Sequence, residues 1–267
     1  MHQAMANCSA QVLILDLEDF TPAPLRPGVR ARLGEIIGNW RASGKSVCVR
    51  INALDGDGPE DLAAAMPHAP DVIAYPMAAK GEDMRDLDQR ITEWENRLGL
   101  AIGSTQLMPV CETAKGVMSV GELAAASPRI RYALLGTEDP AADLMAERSL
   151  HSTELAHARA HFLLACRACG IEPIDAPYTW SDAQGAAQET RGSRQLGYRC
   201  KSLVRPDHAQ AILEAFRPSA HELEHLSLVV KSFEAARLRG EDRALVEGLW
   251  IEVPTYKAAL RRLKEWQ

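Results

Sequence analysis

The 267-residue sequence lacks several features that mark large classes of protein. It has no apolar run approaching the roughly 20 residues that a membrane-spanning helix needs. Its first residues lack the basic and apolar regions of a signal peptide. We therefore expect a cytoplasmic protein without a membrane partner. The formal net charge of −6 argues against a nucleic-acid partner as well.

Motifs that indicate a nucleotide or zinc site are also absent. The first apolar run leads into Asp16, Glu18 and Asp19, where an open doubly wound sheet would carry a glycine-rich turn for a pyrophosphate. No HExxH motif accompanies the histidines, and the single CxxC pair (166–169) lies inside a helical pattern. We expect the six cysteines to stay reduced, because a chain of this length buries a core that needs no disulfides.

What the sequence does contain is a short apolar run, a loop and a longer helical pattern, repeated along the chain. The runs are rich in Val, Ile and Leu, as in strands that are buried on both faces. They occupy 12–19, 45–52, 71–76, 107–112, 132–139, 171–177 and 200–206, and the helical segments between them include 31–42, 81–98, 117–126 and 154–169. This alternation predicts an α/β fold, and seven such runs favour a TIM-type (β/α) barrel.

The helical pattern continues beyond the seventh run. It covers 207–216, 220–239 and 255–266, and a short extended stretch occupies 248–254. The sequence therefore predicts a (β/α) barrel over residues 1–218. A C-terminal helical extension is predicted over residues 219–267.

Each apolar run ends in polar residues, and in a parallel barrel all C-terminal strand ends lie on the face that carries the active site. The polar residues at these ends are Asp16, Glu18, Asp19, Arg50, Asn52, Glu112, Glu138, Asp139, Asp175, Lys201 and Arg205. A helix cap or a structural ion pair explains any one of them, but not the whole set. Clustered carboxylates are costly unless a cation compensates them. Oxygen ligands without a Cys/His set favour Mg²⁺.

Several stretches also match one family in order and spacing, between about residues 11 and 263. They include ILDLEDF, VRIN, PVCETAKGV (109–117), LLGTEDPAADL (134–144), LGYRCKSLVRP (196–206) and GLWIEVPTYKAAL (248–260). In these stretches the chain resembles the citrate lyase β-subunit-like branch of the HpcH/HpaI aldolase family, with the malyl-CoA and citramalyl-CoA lyases. The resemblance implies a trimeric barrel enzyme. It also implies a Mg²⁺-dependent carbon–carbon lyase that acts on a hydroxyacyl-CoA or related thioester, with an acyl-CoA or a 2-oxo acid as its small-molecule substrate.

The resemblance further implies roles for individual residues. Glu112 and Asp139 match the family's metal ligands. The implied catalytic residues are Arg50, which would stabilise the enolate oxygen, Glu252, which would act as acid/base, and Asp19. Either Asp19 or Glu18 would hold the waters of the metal. Substrate contacts are expected from Arg50, Glu112, Gly136, Thr137 and Glu138.

Three departures from the family leave other functions open. Only about ten residues precede run 12–19, which is too few for the family's first strand and helix. The barrel therefore has seven strands, or another segment fills the eighth position. Met77 and Arg205 stand where the family usually has Lys and His. The alternatives are a thioester hydrolase or a CoA-independent aldolase on the same scaffold, and a weakly catalytic subunit of a lyase complex.

Overall fold

The computed structural model of the chain describes residues 5–266 and contains the predicted parallel strands. They are β1 (Val12–Asp16), β2 (Ser46–Arg50), β3 (Val72–Tyr75), β4 (Gln106–Cys111), β5 (Tyr132–Leu135), β6 (Glu172–Tyr178) and β7 (Cys200–Leu203). Each overlaps one predicted run, and each pairs with its neighbour in chain order. The α/β prediction and the TIM-type architecture are confirmed. Within residues 5–266 no ladder joins β7 to β1 and no further strand fills an eighth position.

Helices follow the strands in the order expected of βα units. In the first part of the chain they are α1 (Arg26–Arg30), α2 (Leu33–Ala42), α3 (Gly58–Ala65), α4 (Gly81–Leu98), α5 (Ala114–Met118), α6 (Val120–Ala126), α7 (Glu138–Asp143), α8 (Ala156–Ala168), α9 (Ala183–Leu196) and α10 (Ala209–Phe216). Short 3₁₀ turns occupy Ala23–Leu25, Met66–His68, Thr153–Leu155 and Pro206–His208. Of the helices in the described part of the chain, none is long and apolar enough to cross a membrane.

One helical segment, predicted at 117–126, forms two helices in the structure. The first, α5, already begins at Ala114, because the Thr113 side chain accepts a hydrogen bond from the Gly116 N–H group at 3.0 Å. Such a cap satisfies a backbone donor that the first turn of a helix leaves free. Ser119 separates α5 from α6.

Strand side chains alternate between two apolar layers. Leu13 and Leu15 of β1 pack with helix residues such as Ile37 in the larger core cluster. The intervening positions of the strands form a second cluster with the other parity: Ile14, Cys48, Val72, Ala74, Met108, Val110, Leu134 and Ile174. Since this second cluster contains no helix residue among those described, it fills the inside of the curled sheet.

A buried ion network ties α4 to the chain around β4 and β5. Arg129 contacts Glu95 at 2.7 Å and also contacts Asp88, and its Nη1 donates to the Thr105 carbonyl. Burial by itself would raise the pKa of Glu95. The hydrogen bonds from Arg129 and from the backbone N–H groups of Thr105 and Gly103 outweigh that effect and lower the pKa.

Residues from Arg217 onward form a second compact unit. It consists of α11 (Ala220–Leu238), the antiparallel hairpin of β8 (Ala244–Val246) and β9 (Leu249–Ile251), and α12 (Val253–Trp266). A capping box of Ser219 and Glu222 starts α11. The hairpin turns at Glu247 and Gly248, both with positive φ, as a two-residue type I′ loop requires. The unit has its own apolar core.

The Arg129 network generates a stability prediction. We expect Arg129→Met to lower the free energy of unfolding by about 3 kcal/mol, because Glu95 is then a buried carboxylate without its cation. Arg90→Met is the matched control. Its partner Asp86 is exposed on the surface of α4, so the change should be below about 0.5 kcal/mol. Urea unfolding of the three proteins measures both values, and equal losses in the two variants would contradict the interpretation.

Candidate active site at the C-terminal strand ends

Arg50, at the end of β2, is the centre of a cluster of carboxylates. Its Nη1 lies 2.9 Å from Oε2 of Glu18 and 3.3 Å from Oε1 of Glu112. Its Nε lies 3.1 Å from Oδ2 of Asp16, which Nη2 also contacts, and Nη2 is 3.7 Å from Oδ2 of Asp19. The structure therefore brings together five residues of the predicted strand-end set: Asp16, Glu18, Asp19, Arg50 and Glu112.

The alternation of strand side chains explains why these residues meet. Asp16, Arg50 and Glu112 have the same parity as the inward-facing Ile14, Cys48 and Val110. They continue the inner face of the sheet above its apolar filling, at the C-terminal end where parallel barrels hold their active sites. Asp16 also stabilises the turn that follows β1, since its Oδ1 accepts the Glu18 N–H at 2.7 Å.

Negative charge exceeds positive charge in this cluster. Burial raises the pKa of Glu18 to about 7, and the neighbouring carboxylates of Asp19, Glu112 and Asp16 add to the shift against the opposing charge of Arg50. The Oε2 atom of Glu18 is buried. Although it forms the ion pair with Arg50, it has no well-aligned hydrogen bond to any described residue. Within residues 5–266, the ion pairs of these carboxylates are all formed with Arg50.

Glu112 is held from two sides. Its Oε2 accepts the backbone N–H of Met77 at 3.0 Å, and Met77 has a φ of 47°, a left-handed conformation that is costly for a residue other than glycine. Its side chain lies against Gly136, where a Cβ would come within 2.8 Å of the Glu112 Cγ. Burial raises the pKa of Glu112, and Asp139 raises it further, while the Met77 N–H and Arg50 oppose the shift.

Three consecutive residues at the start of α7 have different surroundings. Thr137 is buried, and its hydroxyl donates to the Pro177 carbonyl at 2.7 Å, so it ties the end of β5 to β6. Glu138 is largely exposed and accepts hydrogen bonds from Arg148 at 3.2 Å and from Thr179 at 2.6 Å. Desolvation raises the pKa of Asp139, and the charge of Asp19 adds to this shift.

Two members of the predicted strand-end set lie elsewhere, and that part of the prediction is wrong. Asp175 and Lys201 are paired in register on β6 and β7, and their charged atoms are 2.8 Å apart. Asp175 has the opposite parity to the inward-facing Ile174, so both side chains point into the helical layer. There Arg159 of α8 contacts Asp175 at 2.6 Å. A position at the end of a strand does not tell, from the sequence alone, to which face of the sheet the side chain points.

The remaining candidates take structural or separate positions. The Asn52 amide donates to Asp61 at 2.6 Å and to the Leu17 carbonyl at 2.8 Å. It therefore links the segments that follow β1 and β2. Arg205 is exposed and pairs with Asp207. Glu252 lies in the second unit, between β9 and α12, with an exposed side chain. Its predicted catalytic role stays a prediction.

The contribution of Met77 was not predicted from sequence, because it comes from a backbone N–H group and not from the side chain. Its side chain is half exposed and carries no charge. Arg148 was also missed. It contacts Glu138 and Glu154 and so fixes the loop between α7 and α8 beside the cluster. Only its position within the loop after a strand end, where functional residues concentrate, distinguished it in the sequence.

The donor set fits a hard divalent cation. Among residues 5–266 no group of three or more His, Cys, Asp or Glu side chains forms a ready-made cage. Mg²⁺ does not need one, since it typically takes one or two protein carboxylates and keeps water or substrate oxygens. Glu112 and Asp139 would supply two carboxylates, and the pKa of each is raised by desolvation and, to a smaller extent, by a neighbouring carboxylate.

Two of the relatives found by comparison with known proteins illustrate the similarity. The β subunit of citrate lyase from Escherichia coli K12 is 32% identical over 254 residues, which cover 94% of this chain and 83% of that protein. The L-malyl-CoA/β-methylmalyl-CoA lyase of Cereibacter sphaeroides is 28% identical over 281 residues, covering 97% and 88%. Both names designate carbon–carbon lyases, the enzyme class that the sequence predicted.

Among solved structures, the CitE protein of Mycobacterium tuberculosis in complex with magnesium, acetoacetate and coenzyme A has a TM-score of 0.76. It is 26% identical, and the match covers 96% of this chain and 90% of that one. Residues 1–206 match the HpcH/HpaI aldolase/citrate lyase family itself. The chain therefore belongs to the HpcH/HpaI aldolase/citrate lyase family, as its sequence motifs predicted.

Proposed function

We propose that this protein is a Mg²⁺-dependent carbon–carbon lyase that acts on a hydroxyacyl-CoA or a related thioester. The observation that carries the proposal is the Arg50 cluster, in which one guanidinium faces Asp16, Glu18 and Glu112 at the catalytic end of the sheet. The names of the two relatives and the magnesium and coenzyme A bound to the similar structure support it.

Glu112 and Asp139 would hold the metal, which when bound supplies a Lewis acid for the substrate's carboxylate and hydroxyl oxygens. Arg50 would stabilise the negative charge that develops on the enolate oxygen. Its Nε and Nη2 are anchored on Asp16, so the guanidinium does not need to reorganise as charge develops. The third nitrogen, Nη1, faces Glu18 and Glu112 and is thereby held in a fixed orientation.

The reaction requires one proton acceptor and one proton donor. In cleavage, a base takes the proton of the substrate hydroxyl, the carbon–carbon bond breaks, and a carbonyl product and a thioester enolate remain. An acid then protonates the enolate carbon. Glu252 is the acid/base residue that the family resemblance implies. Asp19, whose side chain is 61% exposed and faces the cluster, or else Glu18, would hold the waters of the metal. In condensation the proton donor and the proton acceptor exchange roles.

A second candidate is a subunit that works within a larger lyase assembly. The relative from E. coli is named as one subunit of citrate lyase, and this chain covers 83% of it. A weakly catalytic subunit would have no use for the buried Arg50 cluster, which favours an active enzyme. The alternatives of a thioester hydrolase and of a CoA-independent aldolase use the same site and differ in the products. A homotrimer and a cytoplasmic location stay predictions.

Titration with Mg²⁺ and pyruvate or glyoxylate tests the metal site. We expect metal-dependent binding in the wild type, and a loss of affinity of at least about tenfold in Glu112→Gln and Asp139→Asn, because each change removes a ligand. Asp86→Asn, on the exposed face of α4, is the control and should bind as the wild type does. Isothermal titration calorimetry gives all four values. Absence of metal-dependent binding in the wild type would refute the lyase proposal.

The role of Arg50 is tested by Arg50→Lys. A lysine keeps the charge but cannot hold the two-nitrogen contact with Asp16 while reaching an enolate oxygen, so kcat should fall by about 100-fold. Release of the carbonyl product together with the acyl-CoA from malyl-CoA and citramalyl-CoA measures the lyase rate, and free coenzyme A is followed in parallel. The exposed Arg32→Lys is the control, and should be fully active. Coenzyme A release without a carbonyl product would identify a thioester hydrolase instead.

The raised pKa values predict a pH dependence. In the metal-free folded state the pKa of Glu18 is about 7 and that of Glu112 is also raised, so both side chains bind protons more tightly than in the unfolded chain. The unfolded chain releases the same protons from about pH 4.5 upward. Stability of the metal-free protein should therefore fall as the pH rises from 5 to 8, and Mg²⁺ affinity should increase, since binding displaces those protons. Thermal unfolding in EDTA shows the effect. Glu18→Gln should flatten the profile, and the exposed Glu82→Gln should not.

A further inference from the structure

A cavity of about 580 Å³ lies between α8 and α9, outside the strand-end cluster. Arg159 and Glu189 line it, and each side chain is only 8% exposed. Leu150 and Leu196 give it an apolar part. A cavity with apolar walls and a few buried polar groups is the usual construction of a small-molecule site.

Arg159 does not use all its hydrogen-bond donors within the protein. Its Nε and Nη2 donate to the two carboxylate oxygens of Asp175, at 2.9 and 2.6 Å, and Nη2 also donates to Ser193. No hydrogen bond from Nη1 to any described residue occurs, and the nearest carboxylate oxygen, on Glu189, is 3.8 Å away. Nη1 is open to the cavity, so an acceptor that enters the cavity meets a donor that the protein leaves unused.

Glu189 presents an acceptor beside that donor. Its Oε1 is taken by Lys201 at 2.7 Å, and its Oε2 accepts the Ser152 hydroxyl at 2.7 Å. A carboxylate oxygen has two lone pairs, so Oε2 retains capacity for a second donor. Because Asp175 and Glu189 balance Arg159 and Lys201, the group of four is neutral and does not favour a ligand of one charge.

We propose that this cavity binds an α-amino or α-hydroxy acid with an aliphatic side chain. The carboxylate would accept from Nη1 of Arg159, and the amino or hydroxyl group on the neighbouring carbon would donate to Oε2 of Glu189. The hydrocarbon part would contact Leu150 and Leu196, which are both largely exposed without a ligand. The first turn of α8, which has no side-chain cap, adds partial positive charge on the carboxylate side.

Three probes of one carbon skeleton test the proposal: L-leucine, L-2-hydroxy-4-methylpentanoate and 4-methylpentanoate. The first two differ only in the donor, and the third has none. Titrations monitored by saturation-transfer NMR are carried out in EDTA, so that the result is independent of the proposed metal site. We expect at least one of the first two to bind, and 4-methylpentanoate to bind about tenfold more weakly, since the Glu189 contact is then lost.

Gly192 supplies a variant that blocks the cavity and preserves the fold. It lies on α9 and lines the cavity, and a Cβ at this position meets no atom within 4 Å. Gly192→Leu should therefore fold as the wild type does, with an unchanged or higher Tm, because glycine is unfavourable inside a helix. Binding of the probes should weaken by about tenfold or more as the side chain occupies the cavity.

Gly38→Leu is the matched control, since Gly38 is also an open helical position, on α2. It should bind the probes as the wild type does. Three results would overturn the proposal: no binding of L-leucine or of its hydroxy analogue at millimolar concentration, equal binding in Gly192→Leu and the wild type, or binding of 4-methylpentanoate as tight as that of the other two. A failure of the metal titrations would leave this test unaffected.

Discussion

The period of two along a β-strand determines where the chemistry of this protein lies. Inward positions of the strands are apolar along most of their length and become charged at the C-terminal end, as in Ile14 and Asp16 or Val110 and Glu112. A shift of one residue would have moved these charges into the helical layer. Asp175 shows the result of the other parity: it is fully buried against Arg159, in a structural ion network.

The Arg50 cluster carries an electrostatic cost that the rest of the fold compensates. Burial, and after it the charge of neighbouring carboxylates, raises the pKa values of Glu18 and Glu112, which amounts to a loss of stability in the ionised form. Elsewhere the buried charges are balanced, as in the contacts of Arg129 with Glu95 and Asp88. Local conflict at one site and consistency elsewhere is the distribution expected of a functional centre.

Much of the fold and part of the site followed from the sequence. Seven apolar runs and their intervening helices were predictable because hydrophobic periodicity reports burial directly. The meeting of Arg50 with Glu112 followed from their place at strand ends. The split between α5 and α6, the orientation of Asp175 and the cavity beside Arg159 depend on capping, parity and packing over distance, which no single stretch of sequence contains.

At Met77 the contribution of the backbone is distinct from that of the side chain. Its contact with Glu112 is made by the main chain, and what the site requires at this position is a left-handed backbone with an N–H group. Substitution of the side chain at this position therefore has little influence on how the Glu112 carboxylate is held. Proline is excluded, while glycine or asparagine would reach the same conformation with less strain. Position 77 is thus constrained in backbone geometry more than in side-chain chemistry.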